Sequence, residues 1–304
     1  MPNGKIIVNP FGIPGQNLHQ AQRLKEEFLL LGVDVEILPN AYLTAGIKEN
    51  NICSTLGAAD FIIYLDKDKY LSAMLEKSGY KLFNSHEAVR VCDDKGETYI
   101  ALANRGFNLP KTMFAPVCYR KECQISNEYI EILEKEIGYP IIVKTSYGSC
   151  GSGVFLAEDR KQLHSFIDEL KLTPYMCQEY VGVEKGKDIR VIVIGGEAVA
   201  GMERYNKNDF RSNIALGGIG KKLDLAGANE VKALAERVAK ALNLDYCGVD
   251  ILYGNNGEKI VCEVNSNAFF EGIEKVTNVN VAKLYAQYVL EKIKNKNKNT
   301  TISQ

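Results

Sequence analysis

Short apolar runs and amphipathic periods alternate from the first residues of the chain. "KIIVNP" reads as a buried strand, and "NLHQAQRLKEEFLLLG" places its apolar residues at helical spacing until Gly32 stops it. "VDVEIL", "FIIYL" and "KLFN" predict further strands separated by helical stretches. That alternation predicts a small parallel α/β domain over residues 1–91. "CDDKGETYIALANRGFNLP" then predicts a helix that Gly106 stops before Pro110.

From Tyr139 the pattern changes. "YPIIVKTSYGSCGSGVFLA" is strand, Gly/Ser loop and strand, with "NEYIEILEKEIG" and "RKQLHSFIDEL" as flanking helices. "DIRVIVIGGEAVAGMER" predicts a hairpin around Gly195 and Gly196. "NEVKALAERVAKALN" is an amphipathic helix, "GVDILYGNNGEKIVCEVN" a second hairpin, and a last helix spans Val281 to Lys292. Residues 293–304 are polar and low in complexity, which predicts a disordered tail.

Composition narrows the function classes. The 304 residues are 46% hydrophobic and 25% charged, with a formal net charge of −1. Nothing in that balance draws the chain to nucleic acid or to a membrane, so an anionic ligand needs locally placed Lys and Arg. No apolar run approaches the ~20 residues of a membrane span, and "MPNGKIIVNP" is too short for a signal peptide. Eight cysteines without a C-x-x-C pair, and only three histidines, argue against zinc and for reduced thiols in the cytoplasm.

The second hairpin carries the sharpest chemistry. A two-residue turn at Asn256-Gly257 pairs positions summing to 513 and sets Asp250 opposite Glu263. Carboxylates about 5 Å apart repel by roughly 3 kcal/mol at an effective dielectric of 20. A proton or a bound cation relieves this; solvated strand ends are the structural alternative. Asn265 lies on the same face as Glu263 and adds a neutral oxygen, a donor set suited to Mg²⁺ or Mn²⁺. Upstream, "KTSYGSCGSG" sets Gly148, Gly151 and Gly153 after Lys144, where backbone N–H groups and an ammonium could receive phosphate. A flexible loop is the plainer alternative, and Cys150 within it reads as a small filler.

Together these stretches resemble the ATP-grasp superfamily, most closely its ribosomal protein S6–glutamate ligase-like (RimK-type) branch. "CDDKGETYIALANRGFNLPKT", "PIIVKTSYGSCGSGV", "CQEYVGVEKGKDIRVIV", "DFRSNIALGG", "GVDIL" and "EVNSNAFFEGIEK" occur in the family's order between about residues 84 and 290. The resemblance implies an ATP-grasp fold of α+β character. Residues 92–180 form its central subdomain with the glycine-rich loop, and 181–292 its C-terminal antiparallel-sheet subdomain with the metal site. It implies a ligase reaction: ATP turns a carboxylate into an acyl phosphate, an amine attacks, and an amide, ADP and phosphate result. The implied partners are a small-molecule or peptide carboxylate and an amino-acid amine, glutamate among them. A homo-oligomer is neither required nor excluded.

The roles carry over by position. Lys95 and Lys144 match the lysines that contact the nucleotide phosphates. Gln178, Glu179 and Tyr180 match the linker that holds adenine and ribose, and Asp188 a further nucleotide contact. Arg211, Ser212 and Asn213 match the segment near the terminal phosphate. Asp250, Glu263 and Asn265 match the ligands of two Mg²⁺ ions, with Mn²⁺ as a substitute. Arg190 and Arg204 are candidates for the acyl phosphate or the substrate carboxylate, Arg211 ranking first and Arg204 last; surface ion pairs are the alternative for each. "SNAFF" departs from the family's small residues and proline, and Phe269 and Phe270 either wall a substrate pocket or pack the last helix, packing being preferred. Two other readings stay open: a ligase making a free dipeptide or biosynthetic amide, and a catalytically silent ATP-binding scaffold.

Overall fold

The computed structural model describes residues 2–11, 15–43, 45–149 and 151–302. Cys150, read above as a filler, lies outside them.

The first unit comprises β1 (Gly4–Val8), α1 (Gln16–Leu30), β2 (Val35–Pro39), β3 (Ala45–Lys48), β4 (Asn51–Ser54), β5 (Phe61–Leu65), α2 (Lys69–Lys77) and β6 (Leu82–Phe83). Its parallel sheet has the order β2-β1-β5-β6. β1 and β5 are buried along their whole length, and apart from Lys5, whose ammonium meets Glu36, they read in sequence as apolar runs. The antiparallel β3–β4 hairpin departs from the expected helical stretch. Its turn residues Glu49 and Asn50 take positive φ (50° and 65°) without the glycine that normally marks such a turn.

Two helices, α3 (His86–Asp93) and α4 (Lys95–Leu102), lead onward. The single predicted helix is broken at Asp94, whose side chain accepts from the Gly96 and Glu97 N–H groups and caps α4. That cap places Lys95 in the first turn of α4. The next layer holds β7 (Thr112–Phe114), α5 (Asn127–Glu136), β8 (Ile141–Thr145), β9 (Val154–Ala157), α6 (Arg160–Leu170) and β10 (Tyr175–Glu179). The strands order as β7-β10-β8-β9, all antiparallel, over a core that includes Ile130, Leu133, Val143 and Ile167.

The last unit contains β11 (Lys187–Ile194), β12 (Glu197–Tyr205), β13 (Ile219–Leu223), α7 (Asn229–Ala241), β14 (Tyr246–Tyr253), β15 (Lys259–Asn265), α8 (Glu271–Thr277) and α9 (Val281–Ile302). Its antiparallel sheet runs β13-β12-β11-β14-β15. One face buries Val191, Val249 and Ile251 against α7. The other shares a core with α1 and α9, where Tyr246 stacks on Tyr285 at 4.7 Å. Buried Asn84 rivets the units together: it donates to the Tyr246 and Ser266 carbonyls and accepts from the Asp245 and Tyr246 N–H groups.

The helix α9 runs to Ile302, past the end expected at Lys292, and residues 303–304 of the expected tail lie outside those described. The segment has no glycine or proline to stop it, and Ile293 still packs into the core. Among the described residues no helix is long and apolar enough to cross a membrane.

Candidate active site

Two β-bulges bring the charged residues together. Gly195 and Gly196 (φ 60° and 88°) make the predicted two-residue turn, so Ile194 faces Glu197. One extra residue, Val199, then enters β12, and the pairing steps by one. Asp188 consequently faces Arg204 and not Glu203. In the other hairpin the predicted two-residue turn does not form. The Gly254 N–H donates to the Glu258 carbonyl around a three-residue loop closed by Gly257 at φ 80°. An extra residue, Cys262, in β15 offsets the longer loop, and Asp250 faces Glu263 after all.

The charges do not oppose each other as bare carboxylates. Arg190 lies opposite Asp250 on β11 and donates to it through Nε (2.7 Å) and Nη2 (2.6 Å). Arg204 donates through Nε to Asp188 (2.7 Å) and reaches Asp250 at 3.0 Å. Burial alone would raise the Asp250 carboxyl, but the two guanidiniums outweigh it and hold it below the usual carboxylate range. Glu263 instead meets Lys95 at 3.4 Å. Arg190 and Arg204 are thus members of a buried network and not surface ion pairs, the alternative offered for each. Asp188, expected to contact a nucleotide, holds Arg204 here. Asp250 is held by guanidiniums as well as facing Glu263.

A cleft lies between the two antiparallel sheets. Ile142, Val154, Tyr180 and Leu252 give it apolar walls suited to a flat ring. Glu179 is fastened in its rim by the Lys111 N–H (2.8 Å), and Gln178 by Thr112 Oγ1 (2.6 Å). Lys95, Lys144 and Arg211 line the same cleft, with Ser212 and Asn213 beside them. Lys144 is buried, and among the described residues no carboxylate lies within 4 Å of it; its hydrogen-bond partner is Tyr99 Oη at 3.3 Å. Burial pushes the neighbouring Cys262 thiol up to about 12, so it supplies no countercharge at neutral pH. A buried, unpaired ammonium in an open cleft is a site for an anion.

Lys95 Nζ donates to the Gly148 carbonyl (2.9 Å), and Arg211 Nη1 to that of Gly151 (2.8 Å). The glycine loop is thereby latched over the cleft by two of the groups assigned to phosphate. All three loop glycines have positive φ, and a Cβ on Gly153 would sit 2.4 Å from Thr145 Oγ1. Gly153→Ala is expected to lower stability by about 1–3 kcal/mol, readable as a shifted denaturation midpoint at constant slope.

The cleft is the first of three adjoining cavities. The second shares Ser149, Asn213 and Glu263 with it and adds Asn265, Asn267, Lys67 and Asn9. The third shares Arg190, Asn213 and Phe269 with the second. Glu263 and Asn265 offer oxygen donors at the first junction, a fit for a hard divalent cation. Among the described residues no three His, Cys, Asp or Glu side chains cluster as a ligand set, so phosphate and amide oxygens would complete the shell. Phe269 walls two cavities, and Phe270, buried in the core, also borders the third, so both alternatives apply to Phe270.

Several lining residues went unnoticed in the sequence. Phe210, edge-on to Tyr180 at 6.3 Å, and Leu252 were hidden in unremarkable strings. Asn9, Asp66 and Lys67 follow β1 and β5, the carboxyl ends of parallel strands, where open α/β sheets bind ligands. That rule was the available signal.

The family model for the RimK-like ATP-grasp domain matches residues 92–289. The chain is 34% identical over 233 residues to human N-acetylaspartylglutamate synthase A, covering 76% of this chain and 58% of that protein. It is 36% identical over 217 residues to a probable alpha-L-glutamate ligase of Maridesulfovibrio salexigens, covering 70% of this chain and 68% of that one. The chain thus spans little more than half the length of the human relative. Among solved structures, the ATP-grasp ligase PsnB complexed with a minimal precursor shares the fold, with a TM-score of 0.70 at 20% identity over 95% of this chain and 99% of that one. With the model covering the glycine loop, the arginine network and the Glu263–Asn265 strand, the chain belongs to the RimK-like ATP-grasp family.

Proposed function

We propose that the protein is an ATP-dependent carboxylate–amine ligase that forms an amide or peptide bond through an acyl phosphate. The observation that carries this reading is the row of three cavities with unpaired Lys144 in the first and Asn213 lining all three. Triphosphate fits the cationic end of the cleft. A carboxylate in the second cavity lies where it can take the terminal phosphoryl group. One phosphorus–oxygen bond to ADP breaks as another forms to the carboxylate oxygen. The amine nitrogen then bonds to the acyl carbon, phosphate leaves with the carbon–oxygen bonding pair, and nitrogen sheds its surplus protons.

The protein's residues mainly position and neutralise, which is what phosphoryl transfer demands. Lys144 stays fixed; Lys95 and Arg211 exchange loop carbonyls for phosphate oxygens. Mg²⁺ would neutralise phosphate charge when bound, with Mn²⁺ as substitute and two ions in all. Glu263 and Asn265 would hold it, and Asp250 would join by giving up a guanidinium. The two similar proteins carry glutamate in their names, and glutamate or another amino acid is the amine we assign. The cytoplasm supplies ATP and keeps the thiols, free among the described cysteines, reduced.

ADP release with ATP and Mg²⁺ should rise when pooled amino acids and short acidic peptides are added. Glu263→Ala should lower the stimulated rate by about 10²–10³-fold. AMP as product would overturn the acyl-phosphate route. Tight ATP binding with no stimulation by any pool would favour the scaffold.

A further inference from the structure

The third cavity is built partly from α1, which lies outside the matched family domain. Gln16, His19 and Gln20 supply that wall, and Arg190 and Arg204 line the same cavity. Gln20 is 2% exposed. Its Nε2 donates to the Ala268 carbonyl (3.2 Å), which fixes the amide, and Tyr246 Oη pins the same carbonyl at 2.5 Å. Among the described residues, Gln20 Oε1 is left buried without a partner, and so is Gln16 Oε1. A buried carbonyl oxygen without a donor is unfavourable, so this wall is complete only when an N–H or O–H group enters.

Two other lining groups have the opposite need. Arg190 and Arg204 spend Nε and Nη2 on Asp188 and Asp250, and Nη1 of each donates to no described acceptor. Acceptors from α1 and guanidinium donors from β11 and β12 match the two ends of a zwitterion. The order of the cavities assigns its role. The second cavity adjoins the cleft through Glu263, Ser149 and Asn213, so the carboxylate to be phosphorylated belongs there. The third shares only Asn213 with the cleft and opens onto the second beside Phe269.

We infer that the third cavity is the amine-substrate site for a free α-amino acid, and that Gln20, aided by Gln16, selects it by accepting N–H from its amino group. This deepens the ligase reading and rests on it for the order of the subsites. Gln20 takes no proton and forms no bond with the substrate; it is a specificity-determining residue.

The test is binding to the full chain with ADP and Mg²⁺, using each of the twenty L-amino acids in turn and, for any that binds, the same acid lacking its amino group. At least one amino acid should bind wild type at least tenfold tighter than its deaminated analogue. Gln20→Met should abolish that preference while leaving the analogue and ADP affinities within twofold. Gln16→Met, altering a half-buried side chain without a hydrogen-bond partner, should narrow the preference severalfold and decides the matter if Gln20→Met does not fold. Binding of no amino acid, an unchanged preference in both variants, or equal losses for amino acid and analogue would each overturn the inference. The ligase reading fails separately, by absent ADP release, whatever this binding experiment gives.

Discussion

Lys144→Met should remove activity while leaving the fold intact. Lys144 is 6% exposed, with a tyrosine hydroxyl for a partner and no carboxylate within 4 Å among the described residues. Burial opposes the charge, but its Tyr99 partner and nearby Glu263 outweigh it and hold the ammonium above its usual range, so the site keeps a cation ready for an anion. Methionine has a similar reach, so the ligand-free variant should fold and melt within a few degrees of wild type. Substrate-dependent ADP release should fall by about 10²–10³-fold, because the lost ammonium acts on charge developing in phosphoryl transfer. ATP and Mg²⁺ should no longer raise the melting temperature as they do for wild type. A variant less stable than wild type without nucleotide, yet still active, would show that Lys144 is a structural cation.

Arg204→Ala should be the most damaging single change to the fold. Arg204 is 2% exposed and serves two buried carboxylates, Asp188 and Asp250. Its removal leaves Asp188 without its guanidinium and Asp250 with Arg190 alone. Breaking one side of a buried pair costs about 3–5 kcal/mol, a large fraction of a typical total near 5–15. Arg204→Met with Asp188→Leu should cost clearly less than the sum of the two single changes, since an apolar replacement of both partners leaves no orphaned charge. Denaturant midpoints for the four proteins of this cycle measure the coupling; additive losses would mean the pair contributes nothing beyond its individual residues.

The sequence predicted the central parallel strands well because β5 and, apart from Lys5, β1 are apolar and fully buried. It predicted the Asp250–Glu263 pair through two errors that cancel, a loop one residue too short and a missed bulge at Cys262. No such cancellation rescued β11 and β12. The Gly195-Gly196 turn alone would set Asp188 opposite Glu203, and the bulge at Val199 leaves no mark in the alternation of apolar residues. The arginine network was therefore out of reach, as was the identity of its members as partners of one another. The contribution of α1 was invisible for another reason. Gln16 and Gln20 read as ordinary positions on an amphipathic helix, and only the packing of the first unit against the last aims them at a cavity. Lys144 and Glu263 stood out because a charged residue before a glycine-rich loop and another at a strand end carry chemistry in their type and spacing, whereas Lys95 and Arg211 were named only through the family resemblance.

The most direct measurement follows oxygen from the carboxylate. The protein is incubated with ATP, Mg²⁺ and a pool of amino acids and short acidic peptides carrying ¹⁸O in their carboxyl groups, and the released phosphate is analysed by mass. An acyl phosphate requires that one carboxyl oxygen leave with the phosphoryl group, so one ¹⁸O atom should appear in each phosphate formed with ADP. Unlabelled phosphate accompanying amide formation, or label in AMP, would contradict the proposed reaction.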